Sequence, residues 1–193
     1  MNTLLYISSS IFGKHGKSTE LADTFVASLQ NQYSGNQVIH RDLAVQPVPH
    51  LDQARFSAFT TPAHERTPEQ QAVADFSDSL INEWRRADIV VIGLPMYNLG
   101  VPSSFKAYID HIARAGETFR YTENGPVGLL KDRPVYVIAT RGGQYQGTEL
   151  DTQSSYIRHI LGLMGVSDIH FIYAEGLNMG EEAATQALQQ AQS

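Results

Sequence analysis

The sequence predicts an α/β domain built on a five-stranded parallel sheet with helices wound over both faces. Three observations predict it. Five short apolar segments alternate with helix-like stretches along the whole chain, the pattern of a doubly wound fold. The first, third and fourth segments are nearly continuous runs rich in Val, Ile and Leu, as strands covered on both faces require. The 193 residues, 42% hydrophobic and 18% charged, suit one globular domain spanning residues 1–193, with enough chain to bury a sizeable core.

The expected strands are Thr3–Ser8, Gln37–Arg41, Asp88–Leu94, Val135–Thr140 and Ile169–Tyr173. Right-handed crossovers restrict how five such strands can be ordered, and the alternation suggests the order 2-1-3-4-5. The first expected helix, Ser18–Tyr33, sets Leu21, Phe25 and Leu29 on one face. Pro68–Arg86 begins after Thr67, an N-cap followed by proline at the first helical position. Ser103–Arg114 carries Phe105, Tyr108, Ile109 and Ile112, and Thr152–Met164 carries Ile157, Ile160, Leu161 and Met164. Glu182–Gln190 closes the chain. Ala44–Glu69 stands apart, with Pro47, Pro49, Pro62 and Pro68 and no sustained period. It reads as a long loop: a lid, a binding loop or an interface element, or simply a mobile surface excursion.

Composition removes several classes of function. The formal charge is −6 and the basic residues are scattered, which argues against nucleic acid as a partner. With no cysteine, a disulfide scaffold, a thiolate nucleophile and Cys-ligated metal centres are excluded. The seven histidines show no metal-ligand spacing, so no metal site is expected. No G-x-S-x-G elbow is present, so the Ser8–Ser10 run is a poor nucleophile. No apolar run approaches the roughly 20 residues of a membrane helix. Asn2–Ser8 is too short, and too polar at its edges, for a signal peptide, which makes the cytoplasm the default expectation.

In open α/β sheets ligands bind beyond the carboxyl ends of the strands, where strand order reverses. The loops after strands one, three and four are therefore the candidates. The first, Ser9–Ser18, is rich in Gly and Ser and runs into a helix, whose free N–H groups favour phosphate. Ser10 and Ser18 add hydroxyls and Gly16 permits close approach, although an ordinary turn with Ser18 near the N-cap fits the same string. Gly16-Lys17-Ser18 matches the end of a P-loop, but residue 11 is Ile where that motif needs glycine, and no acidic residue ends the third strand to hold magnesium. The second loop, Pro95–Pro102, offers Met96, Tyr97, Asn98 and Leu99 between prolines that stiffen the backbone. An aromatic there can cover a flat ring, and a rigid amide can tune a flavin nitrogen. Taken singly, Tyr97 also reads as packing and Asn98 as a turn residue. The third loop holds Thr140, Arg141, Gly142 and Gly143, whose amides can converge on an anionic edge or can form a plain turn.

Together these strings resemble the FMN-dependent NADH-azoreductases, relatives of the NAD(P)H quinone reductases. The matching strings are Ser9-Ser10-Ile11 with Ser18, Pro95-Met96-Tyr97-Asn98, Arg114-Ala115-Gly116, Thr118 to Pro126 with Gly128-Leu129, and Arg141-Gly142-Gly143. Arg41-Asp42-Leu43 and Ala174-Glu175-Gly176 fit the same pattern. The resemblance implies a flavodoxin-like homodimer that binds FMN near the dimer interface. It also implies ping-pong hydride transfer from NADH or NADPH to a quinone or azo acceptor, with no catalytic side chain beyond the flavin. Carried over by position, Ser10, Gly16, Lys17 and Ser18 surround the phosphate, and Met96, Tyr97, Asn98 and Leu99 line the isoalloxazine. Thr140, Arg141, Gly142 and Gly143 meet its pyrimidine edge, and Tyr121 belongs to the substrate-side wall.

The chain departs from the family in four places. Gly16-Lys17-Ser18 replaces a serine-rich string, so that Lys17 either adds a charged contact or faces solvent. Leu99 and Leu163, in the acceptor pocket, stand where aromatics are frequent, and Thr60 where an arginine can occur. A second class, a flavodoxin-type electron carrier without its own NAD(P)H turnover, calls for a Thr-rich phosphate loop and an acidic rim, neither of which is evident. A phospho-receiver domain needs an acidic cluster after strand one, where this chain has serines.

Overall fold

The computed structural model describes residues 2–32 and 37–192. Met1, residues 33–36 and Ser193 lie outside the described residues, and with them the expected helix end at Tyr33. The elements run in the order β1 (Thr3–Ser8), α1 (Lys17–Gln32), β2 (Gln37–Asp42), α2 (Gln53–Thr60), α3 (Pro68–Arg86), β3 (Ile89–Pro95) and α4 (Ser103–Ile112). They continue through β4 (Phe119–Thr122), β5 (Gly125–Gly128), β6 (Val135–Thr140), α5 (Thr152–Leu163), β7 (Ile169–Ala174) and α6 (Glu181–Gln192).

Five strands pair in parallel in the order β2-β1-β3-β6-β7, which is 2-1-3-4-5 when the strands of this sheet are counted along the chain. The register sets Ser8 beside Gly93, Pro95 beside Thr140, and Thr140 beside Ala174. Because the strands are parallel, the loops after β1, β3 and β6 leave the same edge side by side.

Successive residues of each strand belong to different cores, as a period of two requires. Leu5, Ile7, Val90, Ile92, Val135 and Val137 pack with Leu80, Ile81 and Trp84 of α3, Phe105 and Tyr108 of α4, and Ile157 and Leu161 of α5. Leu4, Tyr6, Val91 and Ile138 pack with Leu21, Ala22 and Val26 of α1 and with Leu188 and Ala191 of α6. Gly93 lets α1 approach β3, since a Cβ there would lie 3.1 Å from the Ser18 carbonyl oxygen.

The ends of α3 are well satisfied. Thr67 and Gln70 form a capping box, with Pro68 at the first turn. At the other end the Arg133 guanidinium donates to the carbonyls of Trp84 and Ala87, placing a cation at the helix C-terminus. Within the core, Trp84 Nε1 donates to the Tyr108 hydroxyl at 2.7 Å.

Two segments differ from the sequence reading. The stretch expected as one long loop, Ala44–Glu69, contains α2 and a 3₁₀ turn at Ala63–Glu65. Asp52 caps α2 by accepting from the Arg55 N–H, so the helix is started by its cap rather than by an apolar stripe; only Ala58 in it is buried. The second is a hairpin, β4 paired antiparallel with β5, turning through Glu123 and Asn124 before Gly125. Asn-Gly between short strands is a turn signal, but strands of four residues leave little periodicity to read.

Asp132 ties the approach to β6 to the approach to β7. It accepts from the Ser167 hydroxyl at 2.6 Å and from the N–H groups of Ser167 and Asp168. These bonds, the Ser167 hydroxyl first, push its carboxyl down to about 2.

Two outcomes follow for stability. Tyr108→Phe strands the buried Trp84 N–H and is expected to lower the unfolding free energy by about 1–3 kcal/mol in a urea titration. Asp132 is held below its unfolded value of 3.8, so its contribution is present above that pH and is lost as pH falls towards about 2. Asp132→Asn is therefore expected to flatten the acid limb of a plot of urea midpoint against pH in this window.

Candidate functional site

The loops after β1, β3 and β6 enclose three adjoining clefts, and Met96 lines all three. One, of about 510 Å³, runs from Ser10, Gly16 and Lys17 to Thr140, Arg141 and Gly142. A second, of about 460 Å³, lies between Asn98 and Leu99 on one side and Gly142 and Gly143 on the other, with Tyr145 and Asn178. A third, of about 930 Å³, extends from Ile11 and Tyr97 to Lys106, Gln153 and Tyr156. These volumes suit a small-molecule ligand.

The first loop is folded by its own backbone. The Gly13 N–H donates to the Ser10 carbonyl, and Thr19 and Glu20 both donate to the Gly16 carbonyl at 2.9 Å. This opens α1 with the amides of Lys17 and Ser18 without a partner among the described residues, as the first turn of a helix leaves them. The Ser18 hydroxyl is buried and has no hydrogen-bond partner among the described residues. Gly16 lies so close to Ser10 that a Cβ there would overlap the Ser10 hydroxyl. Lys17 pairs with Glu20 at 2.8 Å, with both side chains about half exposed, which directs its charge along the surface of α1.

Tyr97 fastens the second loop to the first. Its hydroxyl accepts from the Ile11 N–H and shares a hydrogen bond with Ser10 Oγ, each at 3.3 Å. Tyr97 and Gly100 exchange backbone hydrogen bonds of 3.0 and 2.9 Å. Between them Asn98 and Leu99 have φ of 50° and 61°. Positive φ at both central residues makes a tight turn of the mirror-image type I class. The left-handed region is unfavourable for Leu by about 1–2 kcal/mol, so the turn needs outside support. The Thr152 hydroxyl donates to the Leu99 carbonyl, and Gln153 Nε2 donates to the Pro95 carbonyl at 2.9 Å. The Asn98 backbone N–H has no hydrogen-bond partner among the described residues.

The third loop is zipped to the chain leaving β7. Leu177, Asn178 and Gly176 donate to the carbonyls of Arg141, Gly142 and Gly143 at 3.1, 3.0 and 2.9 Å. The carbonyls are consumed, and the amides of Gly142 and Gly143 have no partner among the described residues. Two side chains lean over these glycines: a Cβ would lie 2.5 Å from Asn178 Nδ2 at residue 142 and 2.8 Å from the Tyr145 hydroxyl at residue 143, so a side chain there would displace Asn178 or Tyr145.

The Arg141 side chain points away from the clefts. It is fully buried, bonded to Glu175 at 2.9 Å, Asp151 at 2.7 Å and the Ser154 hydroxyl at 2.9 Å, with Tyr173 beneath it. Burial would raise the Asp151 carboxyl, but the Arg141 guanidinium and Ser154 outweigh it and hold the group below its ordinary value. Arg141 therefore lines the site with backbone alone.

Of the residues expected from sequence, eleven positions from Ser10 to Gly143 meet in these clefts, while Ser18 lies buried in the first turn of α1. Tyr121 and Leu163 are outside the three clefts: Tyr121 stands exposed on the hairpin, edge-on to Phe119, and Leu163 ends α5. Thr60 closes α2, its hydroxyl donating to the carbonyls of Phe56 and Ser57. Residues not anticipated are Asp151, Thr152, Gln153 and Asn178. Asp151, the N-cap of α5, had a readable signal, an acidic residue just before a periodic apolar segment. Among the described residues, no cluster of three His, Asp or Glu is placed to hold a metal ion.

The model of a family described as having a flavodoxin-like fold matches residues 2–193. An FMN-dependent NADH:quinone oxidoreductase of Cellvibrio japonicus is 56% identical over 182 residues, covering 94% of this chain and 92% of that protein. A protein of the same name from Alcanivorax borkumensis is 51% identical over 190 residues, covering 98% and 96%. Among solved structures, an FMN-dependent NADH-azoreductase from Bacillus anthracis in complex with FMN superposes with a TM-score of 0.89 at 28% identity, covering 100% of this chain and 96% of that one.

Proposed function

The chain belongs to the family with the flavodoxin-like fold, and from that premise we propose that it is an FMN-dependent oxidoreductase passing two electrons from NADH to quinone or azo acceptors. One observation carries the reading: three neighbouring loops that border adjoining clefts leave donors without a partner among the described residues. These are the amides of Lys17, Ser18, Asn98, Gly142 and Gly143, with the Ser18 hydroxyl. The relatives of about half-identical sequence, named for FMN and NADH, support the same cofactor and donor.

The residues fit the group. A buried hydroxyl without a partner is unfavourable by about 1–3 kcal/mol, and a phosphate oxygen at the start of α1 would remove that penalty. Ser10, Gly16, Lys17 and Ser18 would hold the phosphate. Met96, Tyr97, Asn98 and Leu99 would line the ring system, with the Asn98 amide fixed by its turn. Gly142 and Gly143 would offer two amides to the anionic edge, a preorganised arrangement that needs no reorientation. When bound, FMN would supply hydride chemistry, taking two electrons from NADH and giving them to the acceptor in a ping-pong sequence. The chain's own part is to bind, orient and tune, so no acid–base side chain is assigned.

A homodimer on a doubly wound sheet belongs to the same proposal. The two separate core clusters support helices over both faces of the sheet. Tyr121 and Leu163 stand away from the clefts of their own chain, and association of two copies is the arrangement that would bring them to an acceptor. Exposed Ile11, Phe12 and Leu99, beside the clefts, supply apolar surface for it. Cytoplasmic location is part of the proposal too.

The direct test is the absorbance spectrum of the purified protein with excess FMN, before and after anaerobic NADH. A bound flavin that bleaches is expected; absence of binding overturns the proposal, and binding without bleaching by NADH or NADPH favours a flavodoxin-type carrier. Ser18→Ala is expected to weaken FMN about tenfold in a fluorescence titration, roughly one hydrogen bond to a charged group, while leaving the stability of the FMN-free protein unchanged or higher. Tyr121→Ala is expected to alter the KM for the acceptor several-fold with FMN retention unchanged, and the opposite pattern in steady-state and binding assays would remove Tyr121 from the acceptor wall.

A further inference from the structure

We propose that Glu175 is a positioning residue that, through Arg141 and the amides of Tyr145 and Gln146, sets how strongly the site discriminates between oxidised and reduced FMN. The inference rests on the cofactor reading above and deepens it.

Glu175 follows β7 and sits behind the Gly142–Gly143 loop rather than in it. One carboxylate oxygen, Oε1, accepts from the Arg141 guanidinium at 2.9 Å and from the N–H groups of Tyr145 and Gln146 at 3.0 and 2.9 Å. The same carboxylate thus holds the start of the loop by a side chain and its end by two amides. The loop between has no freedom to withdraw, because Gly176, Leu177 and Asn178, immediately after Glu175, bind its three carbonyls. Glu175 thereby clamps both ends of the segment that carries Gly142 and Gly143.

Arg141 carries the linkage further. Its second nitrogen binds Asp151, which caps α5, and the next two residues of α5 hold the opposite turn: Thr152 at Leu99 and Gln153 at Pro95. A set of polar contacts therefore links Arg141, at the head of the Gly142–Gly143 loop, through Asp151 and the start of α5 to the Asn98 turn. Two carboxylates face that single guanidinium, so the cluster bears one formal negative charge beside the loop. Centred on a fully buried guanidinium, that charge opposes the added negative charge of reduced FMN.

The test is a pair of titrations of apo-protein with oxidised and with dithionite-reduced FMN, giving the ratio of the two Kd values. For Glu175→Gln, which keeps an acceptor oxygen and removes the charge, reduced FMN is expected to gain about tenfold relative to oxidised FMN. A tenfold change corresponds to a rise of about 30 mV in the two-electron midpoint potential. Glu175→Asp retains the charge and is expected to keep the native ratio within threefold while weakening both forms, because the shorter carboxylate no longer reaches the amides. Asp151→Asn removes a charge from the other side of Arg141 and must move the ratio in the same direction; it serves alone if Glu175→Gln does not fold. A native ratio in whichever neutralised variant folds overturns the proposal. If the native chain binds neither form, the cofactor reading itself falls, and this inference with it.

Discussion

The parallel register of β1, β3 and β6 is the constraint from which the site is built. Setting Ser8 beside Gly93 and Pro95 beside Thr140 brings three sequence-distant loops to one edge of the sheet. Gly93 tightens the arrangement, because the missing side chain lets the first turn of α1 approach the sheet to near contact. The start of α1, and with it the buried Ser18 hydroxyl, is thus positioned by the central strand and not by the loop that precedes it. Each loop then acquires a separate fastening: Tyr97 to the first loop, α5 to the second, and the chain after β7 to the third.

These fastenings share a division of labour. Carbonyl groups and hydroxyls are used to hold the loops together, while selected amides are left without partners. At Gly142 and Gly143 the carbonyls are bonded and the N–H groups are not; at the Tyr97–Gly100 turn the flanking residues pair with each other and the Asn98 amide is spared. Most side chains near the site are structural in consequence. Arg141 is the clearest example, a cation in a site proposed for an anion, its charge outweighed by the two carboxylates of Asp151 and Glu175. Such an arrangement suits a protein whose bound cofactor supplies the electron chemistry.

The strands and most of the helices were legible in the sequence because burial on both faces leaves long apolar runs and because Thr67-Pro68 is an unambiguous helix start. The three loops were legible as well, once the strands located them. What the sequence concealed has a common cause. Helix α2 and the β4–β5 hairpin are short, and local hydrogen bonds rather than a periodic apolar face start or turn them. The inward turn of Arg141 depends on partners 10 and 34 residues away, and nothing local distinguishes a guanidinium facing a ligand from one facing the core. Gly16 and the glycine pair were identifiable as places of close approach, but what approaches them, the Ser10 hydroxyl, Asn178 and Tyr145, is a product of the tertiary structure.

The unpaired donors have a consequence for the life of the protein as well as for its chemistry. A chain that keeps a buried hydroxyl without a partner gives up part of its own folding free energy, and a ligand that satisfies it returns that energy on binding. Each tenfold excess of free ligand over its dissociation constant adds about 1.4 kcal/mol to the folded state. Against the roughly 5–15 kcal/mol that separates folded from unfolded domains, that increment is substantial, and a chain filled with flavin would resist unfolding and proteolysis better than an empty one.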